Sequence, residues 1–270
     1  MTDRGFHREK PVASELETLV FTESAELYDL IYSSFKDYRA ETAQIAALLR
    51  SRHPACRTLL DVGCGTGEHA RLLASLHAFS VDGLDLSPDF LRIARAKHPA
   101  GRFFEADMSN FRLPDRYDAI LCLFSSIGYL KTLDRVTQAL RCFRKHLEPD
   151  GVVIVEPWFT PDKMSPGHHS SRAAAAPGVR VQRLGTTEVA GRLSRLRFEY
   201  TIETVDGIRH ATEVHELGLF TVEEMLSAFH AAGLSAEHEP SGLAGRGLYV
   251  ARIAPGRPDV LAPAGESPPP

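Results

Sequence analysis

The stretch Leu59-Leu-Asp-Val-Gly-Cys-Gly-Thr-Gly67 runs a hydrophobic strand straight into a glycine-rich bend. Few folds make that junction. Glycines let the backbone turn left-handed and approach a ligand closely, and the helix that follows aims its free N–H groups at the bend. Asp85, eighteen positions beyond Gly67, closes a second apolar run. A carboxylate at a strand tip is placed to accept from the two hydroxyls of a ribose, and its burial is costly unless such donors arrive. Asp61, two residues before the first glycine, and Asp107 farther on complete an ordered series of acids. A nicotinamide dinucleotide site would read Gly-x-Gly-x-x-Gly, whereas here Glu68 occupies the sixth position.

Around this junction the chain alternates strand and helix, which predicts a parallel sheet covered on both faces. Helices are expected over Ser24–Ser34, Tyr38–Arg50, Thr66–Leu76, Pro88–Lys97 (capped by Ser87), Leu133–Leu147 and Thr221–Ala232. Thr221 followed by Glu224 reads as a capping box, with Gly233 as the stop. Strands are expected over Thr58–Val62, Ser80–Asp85, Arg102–Ala106, Tyr117–Leu123, Gly151–Glu156 and Leu248–Ile253. Pro161–Ala176 is turn-rich and reads as a loop or lid. Arg180–Val189, Arg195–Thr204 and His210–Leu219 fit a three-stranded antiparallel patch inserted after the fifth strand. The expected organisation is a polar tail (1–22), one domain (23–253, insertion about 160–219) and a Pro/Ala-rich tail (254–270) too poor in apolar surface to order itself.

Composition removes several classes. A net charge of −4 gives no electrostatic case for nucleic acid or an anionic membrane, and the longest apolar runs are strand-length. Cys56, Cys64, Cys122 and Cys142 lack CxxC spacing, so no metal site or disulfide framework is expected and a cytoplasmic setting is the default. The expected partner is a small molecule, with a homodimer possible.

The series Asp61, Gly63-x-Gly65-x-Gly67, Asp85 and Asp107 resembles motifs I to III of class I S-adenosylmethionine (SAM)-dependent methyltransferases. That resemblance implies an α/β, Rossmann-like, doubly wound seven-stranded sheet. In such a protein Gly63, Gly65 and Gly67 pass under the methionyl carboxylate, and Asp61 faces the ammonium or orders the loop. Asp85, with Leu86 beside it, takes the ribose; Asp107 and Met108 take the adenine; Phe124 stands at the edge of the crevice.

A narrower likeness follows. Tyr28-Asp-Leu-Ile-Tyr32, Lys36-Asp-Tyr38, Phe124-Ser-Ser-Ile-Gly-Tyr-Leu-Lys131, Leu147-Glu-Pro-Asp-Gly-Val-Val-Ile-Val-Glu-Pro-Trp158 and Gly245-Arg-Gly-Leu-Tyr249 resemble, in order, the dTDP-3-amino-sugar N,N-dimethyltransferases, the desosamine and mycaminose type enzymes of macrolide antibiotic biosynthesis. Departures are a Tyr32–Tyr38 spacing one residue short and Phe159 where a second Trp is usual. The resemblance implies that Tyr32 and Tyr38 close over the cofactor, with Tyr32 also meeting the acceptor. It further implies that Tyr129, Glu156, Trp158 and Arg246 contact the acceptor, Arg246 through a diphosphate. An acceptor ammonium must lose a proton before it can attack, and Tyr129 and His215 are the candidates to receive it. Methylation of another small secondary-metabolite amine, and SAM binding without turnover, remain the alternatives at this stage.

Overall fold

The computed structural model describes residues 25–255; the N-terminal tail and residues 256–270 lie outside them. The parallel part of the main sheet consists of β1 (Thr58–Val62), β2 (Ser80–Asp85), β3 (Phe103–Glu105), β4 (Tyr117–Cys122) and β5 (Leu147–Val155). β10 (Leu234–Glu239) and β11 (Leu248–Ile253) add antiparallel strands at one edge, in the order β10-β11-β5-β4-β1-β2-β3. The strand order reverses between β1 and β4, and ligands of open α/β sheets collect at the carboxyl ends of such a pair.

Helices cover both faces because each buries one apolar stripe. α5 (Leu133–Lys145) and α6 (Val222–Ala231) pack Val136, Leu140, Phe143, Met225 and Phe229 on one side. α2 (Tyr38–Arg52), α3 (Glu68–His77) and α4 (Pro88–Lys97) pack Ile45, Leu49, Leu73 and Leu91 on the other. Each such fully buried side chain contributes roughly 1.5–3 kcal/mol. Local signals set the ends of α4 and α6. Ser87 Oγ accepts from Phe90 N with Pro88 at the first turn of α4, and the Thr221–Glu224 capping box is formed at α6.

The insertion differs from expectation. The stretch expected as a loop holds β6 (His169–Ala176), which pairs along its whole length with β7 (Val179–Ala190). With β8 (Leu193–Thr204) and β9 (Gly207–Gly218) it makes a four-stranded antiparallel sheet rather than a three-stranded patch. Ala-Ala-Ala-Ala has little strand propensity of its own; the pairing with β7 imposes the conformation. β10 was missed for a related reason: it is an edge strand in which only Leu234 is fully buried. β5 starts at Leu147, earlier than the expected Gly151, and its register against β4 shifts between Tyr117 and Ala119. The second sheet is fastened by α1 (Ala25–Tyr32), whose Ile31 packs with Val181, Tyr200 and Ile202.

Candidate active site

At the carboxyl end of β1 the chain turns with φ of 70°, 53° and 73° at Gly63, Gly65 and Gly67. The bend is tight as well as left-handed: a Cβ on Gly63 would stand 2.7 Å from Ser126 Cβ. α3 begins at Gly67 with no side-chain cap, so its first N–H groups are left for a ligand. Met108 Cε reaches within 3.6 Å of the same Gly63 position. Asp85 spans the mouth: its Oδ2 accepts from Gly65 N at 2.8 Å and its Oδ1 from Ser87 N at 2.9 Å. The carboxylate thereby holds both loops, with lone pairs left for a diol. Leu86 beside it is 64% exposed, an open apolar surface for a flat ring.

Asp61 is buried and its Oδ2 has no hydrogen-bond partner, a costly arrangement in a protein by itself. Burial pushes its carboxyl up to about 6, against the opposing pull of His69. An orphaned buried carboxylate, an uncapped helix start and a glycine cradle fit the ammonium, carboxylate and close approach of SAM. Asp107 fits less directly: it already accepts from Ser109 N and Oγ and from Arg135. Any role for it at the adenine shares the carboxylate with those donors.

The turn after β4 carries a feature that the sequence did not announce. Phe124 and Ser125 have φ of 51° and 64°, left-handed values that cost non-glycine residues about 1–3 kcal/mol each. Two bonds over-determine them: Phe124 N donates to Glu156 Oε2 at 2.7 Å, and Ser125 Oγ donates to the Pro157 carbonyl at 2.8 Å. Glu156, fully buried, also accepts from Arg246 at 2.5 Å. Each of its oxygens already accepts one bond from the protein, so any contact of Glu156 with an acceptor shares the carboxylate with Phe124 N and Arg246. Arg246 itself lies over the Phe124 ring, 5.6 Å from its centroid.

An aromatic wall closes the opposite side. Tyr32 meets Phe124 edge-on at 5.2 Å and Tyr28 at 4.3 Å, with the Arg183 guanidinium 5.0 Å from its ring. Tyr38 is buried, edge-on to His69 at 5.0 Å. Between the two tyrosines Lys36 turns inward onto Glu41 and sits 4.2 Å from the Phe124 centroid; burial lowers its ammonium's pKa, against the pull of Glu41. Glu41 also meets His69 at 2.9 Å. Reading the sequence picked out Lys36 only as part of a motif and missed Glu41, His69 and Arg183. Their partners come from distant segments, and no spacing rule connects those.

Trp158 donates its indole N–H to Ser194 Oγ at 2.8 Å, which pins the end of β5 to the second sheet. Tyr129, on a short 3-10 helix (Ser126–Leu130), and His215, on β9, do come together: the hydroxyl is 2.9 Å from Nδ1. Burial holds the Tyr129 phenol's pKa well above its usual value, so a tyrosinate is costly there.

A switch-point crevice holding a glycine cradle, an orphaned acid and a strand-end carboxylate defines a class of nucleoside-cofactor enzymes, the SAM-dependent methyltransferases. Residues 59–151 match the methyltransferase domain family. A dTDP-3-amino-3,6-dideoxy-alpha-D-glucopyranose N,N-dimethyltransferase of Streptomyces fradiae is 44% identical over 230 residues, covering 84% of this chain and 90% of the relative. The crystal structure of Streptomyces venezuelae DesVI superposes with a TM-score of 0.81 at 40% identity, covering 85% of this chain and 98% of that one. SAM-bound CalS10, an amino pentose methyltransferase from Micromonospora echinaspora involved in calicheamicin biosynthesis, superposes at 0.76 with 34% identity, covering 88% and 99%. The chain belongs to this family of SAM-dependent sugar N-methyltransferases. Among the described residues no helix is long and apolar enough to cross a membrane.

Proposed function

We propose that the methyl acceptor is the amine of a nucleotide-linked amino sugar, with a dTDP-type diphosphate held at Arg246. The observation that carries this is Arg246 itself, which stands between Gly245 and Gly247 and bridges Glu156 to the Phe124 ring at the crevice. A cavity of about 180 Å³ opens beside it, lined also by Lys163, His238 and Tyr249. Arg246 and Lys163 bring positive charge to this cavity, partly offset by Asp162 on the same wall, while burial lowers the pKa of His238; the two cations suit a diphosphate, and the substrates named for the relatives point the same way.

SAM supplies an electrophilic methyl on a sulfonium. What the chain adds is placement, worth roughly 7–11 kcal/mol for well-oriented pairs. Asp61, Gly63, Gly65 and Gly67 hold the methionyl end, while Asp85, Leu86, Asp107 and Met108 hold the nucleoside. Tyr32, Tyr38 and Phe124 keep water from the transfer line, Trp158 gives the acceptor ring a flat surface, and Tyr129 with His215 takes the proton that the acceptor ammonium sheds. The working unit is residues 23–253, with about 160–219 as its cover. Four free buried cysteines support a reducing, cytoplasmic setting. The net charge of −4 supports a small-molecule partner over nucleic acid. Among the described residues β6 is an edge strand of the second sheet, which supports pairing with a second copy; light scattering decides it.

The test is direct. S-adenosylhomocysteine should form with a dTDP-linked amino sugar and fall away when the nucleotide is removed from the same sugar. Equal turnover of the free amino sugar would overturn the nucleotide assignment.

A further inference from the structure

Below the Tyr129–His215 contact lies a second carboxylate that no motif announces. Residues alternate sides along a strand, so Glu213 and His215 share the inward face of β9, and both are buried. Glu213 Oε2 is 3.5 Å from His215 Nε2, within ion-pair reach, and accepts from the Tyr200 hydroxyl at 2.9 Å. The order is Tyr129, His215, Glu213, Tyr200, running from the 3-10 helix through β9 to β8.

We propose that Glu213 is a positioning residue for the transfer. Its charge, 3.5 Å from Nε2 and outside hydrogen-bond geometry, favours the His215 proton on Nε2, so that Nδ1 accepts from Tyr129 and the pair relays the acceptor's proton away from the crevice. The inference rests on the amine-methylating reading above. In the step, an ammonium N–H bond breaks and its proton bonds to the Tyr129 oxygen. The phenolic proton leaves at the same time for His215 Nδ1, and the nitrogen keeps the electron pair that attacks the methyl. His215 ends as an imidazolium beside the Glu213 carboxylate, a better arrangement than the same cation alone in a buried site.

Burial sets the Tyr129 phenol against ionising, so the hydroxyl passes a proton along rather than acting as the terminal base. Titratable groups facing this cluster include Tyr28 and Tyr32 on α1 and Arg183 on β7, and Asp85 acts on Tyr129 from β2. Arg183, stacked 4.3 Å from the Phe198 ring, supplies positive charge among these groups. Glu216, by contrast, is tied to Lys131 and Arg195 away from the cluster.

Glu213→Gln keeps the shape and removes the charge. It should lower kcat with the dTDP-linked amino sugar by about 10- to 100-fold, less than the roughly 100- to 10,000-fold of a proton-transferring group itself, because Glu213 acts through His215. KM for acceptor and the affinity for SAM should stay within about twofold, and the acid limb of the pH profile should move toward lower pH, because His215 loses the partner of its cation. Glu213→Asp should restore part of the rate. In a His215→Asn background Glu213→Gln should add little, since the two act in series. An unchanged kcat and pH profile in Glu213→Gln would overturn the proposal, as would equal losses with and without His215, which would mark a purely structural role. Should the glutamine variant fail to fold, Glu213→Leu, which also removes the charge, decides by the same profile: a wild-type limb and rate in it count against the relay. A wild type that methylates no amine would instead strike the reading of the reaction, a separate failure.

Discussion

Asp61 sits in a state that the protein without its donor does not favour. Its carboxyl is raised from 3.8 to about 6 by burial. A raised carboxyl gives its full stability below the unfolded value, and that stability is lost as the pH rises through the folded one. At neutral pH Asp61 therefore costs on the order of 2–3 kcal/mol. Asp61→Asn should raise the melting temperature of the ligand-free protein at pH 7.5, with the gain shrinking toward pH 4, while SAM affinity falls in calorimetry. A variant without the gain would show that the acid is solvated by other means. Asp85→Ala should weaken SAM binding by about tenfold or more, since it strands the diol and also frees Gly65 and Ser87; unchanged affinity would remove it from the site. Arg246→Ala should raise KM steeply for a diphosphate-bearing acceptor. Because it also leaves Glu156 buried and unpaired, the comparison needs the Glu156→Gln/Arg246→Ala pair, in which the stability loss should shrink while the KM defect stays. At this scale the cofactor residues were legible because their chemistry is local to strand ends. Glu156 was legible as an acid but not as the clamp on Phe124, since its partners lie 32 and 90 positions away.

The elements that were read well carry their own end signals. Thr221 and Glu224 cap α6 reciprocally, and Thr221→Ala should cost about 1 kcal/mol in chemical denaturation. The bend after β1 is similarly self-announcing, because three glycines in alternate positions have few other uses. Gly63→Ala should abolish donor binding while leaving the far-ultraviolet spectrum intact, since the new methyl meets Ser126 at a position with φ of 70°. The elements that were misread lack such signals. β6 is mostly serine and alanine and owes its conformation to β7; β10 alternates but buries little; the left-handed pair at Phe124 and Ser125 is imposed by Glu156 and Pro157. Contacts made across the chain decide these three, and no local window contains them.

For the molecule as a whole, the two sheets are unequal in their cores. The main sheet is packed on both faces, whereas the described core of the second is Ile31, Val181, Tyr200 and Ile202 with partly buried neighbours. Local opening follows buried apolar contact, so amides of the β7–β8 and β8–β9 turns should exchange orders of magnitude faster than those of β1, β4 and β5. Uniform protection in native-state hydrogen exchange would contradict this division. SAM should slow exchange around Gly63–Gly67 first. Among the links between the two halves, Gly128 lies against both Trp158, where the chain departs into the second sheet, and Leu217, where it returns, with a built Cβ 3.2 and 3.3 Å from theirs. A segment that leaves and re-enters at the same glycine can be exchanged as a cassette. Swapping it between relatives should therefore carry acceptor preference from one enzyme to another while the donor half goes on binding as before.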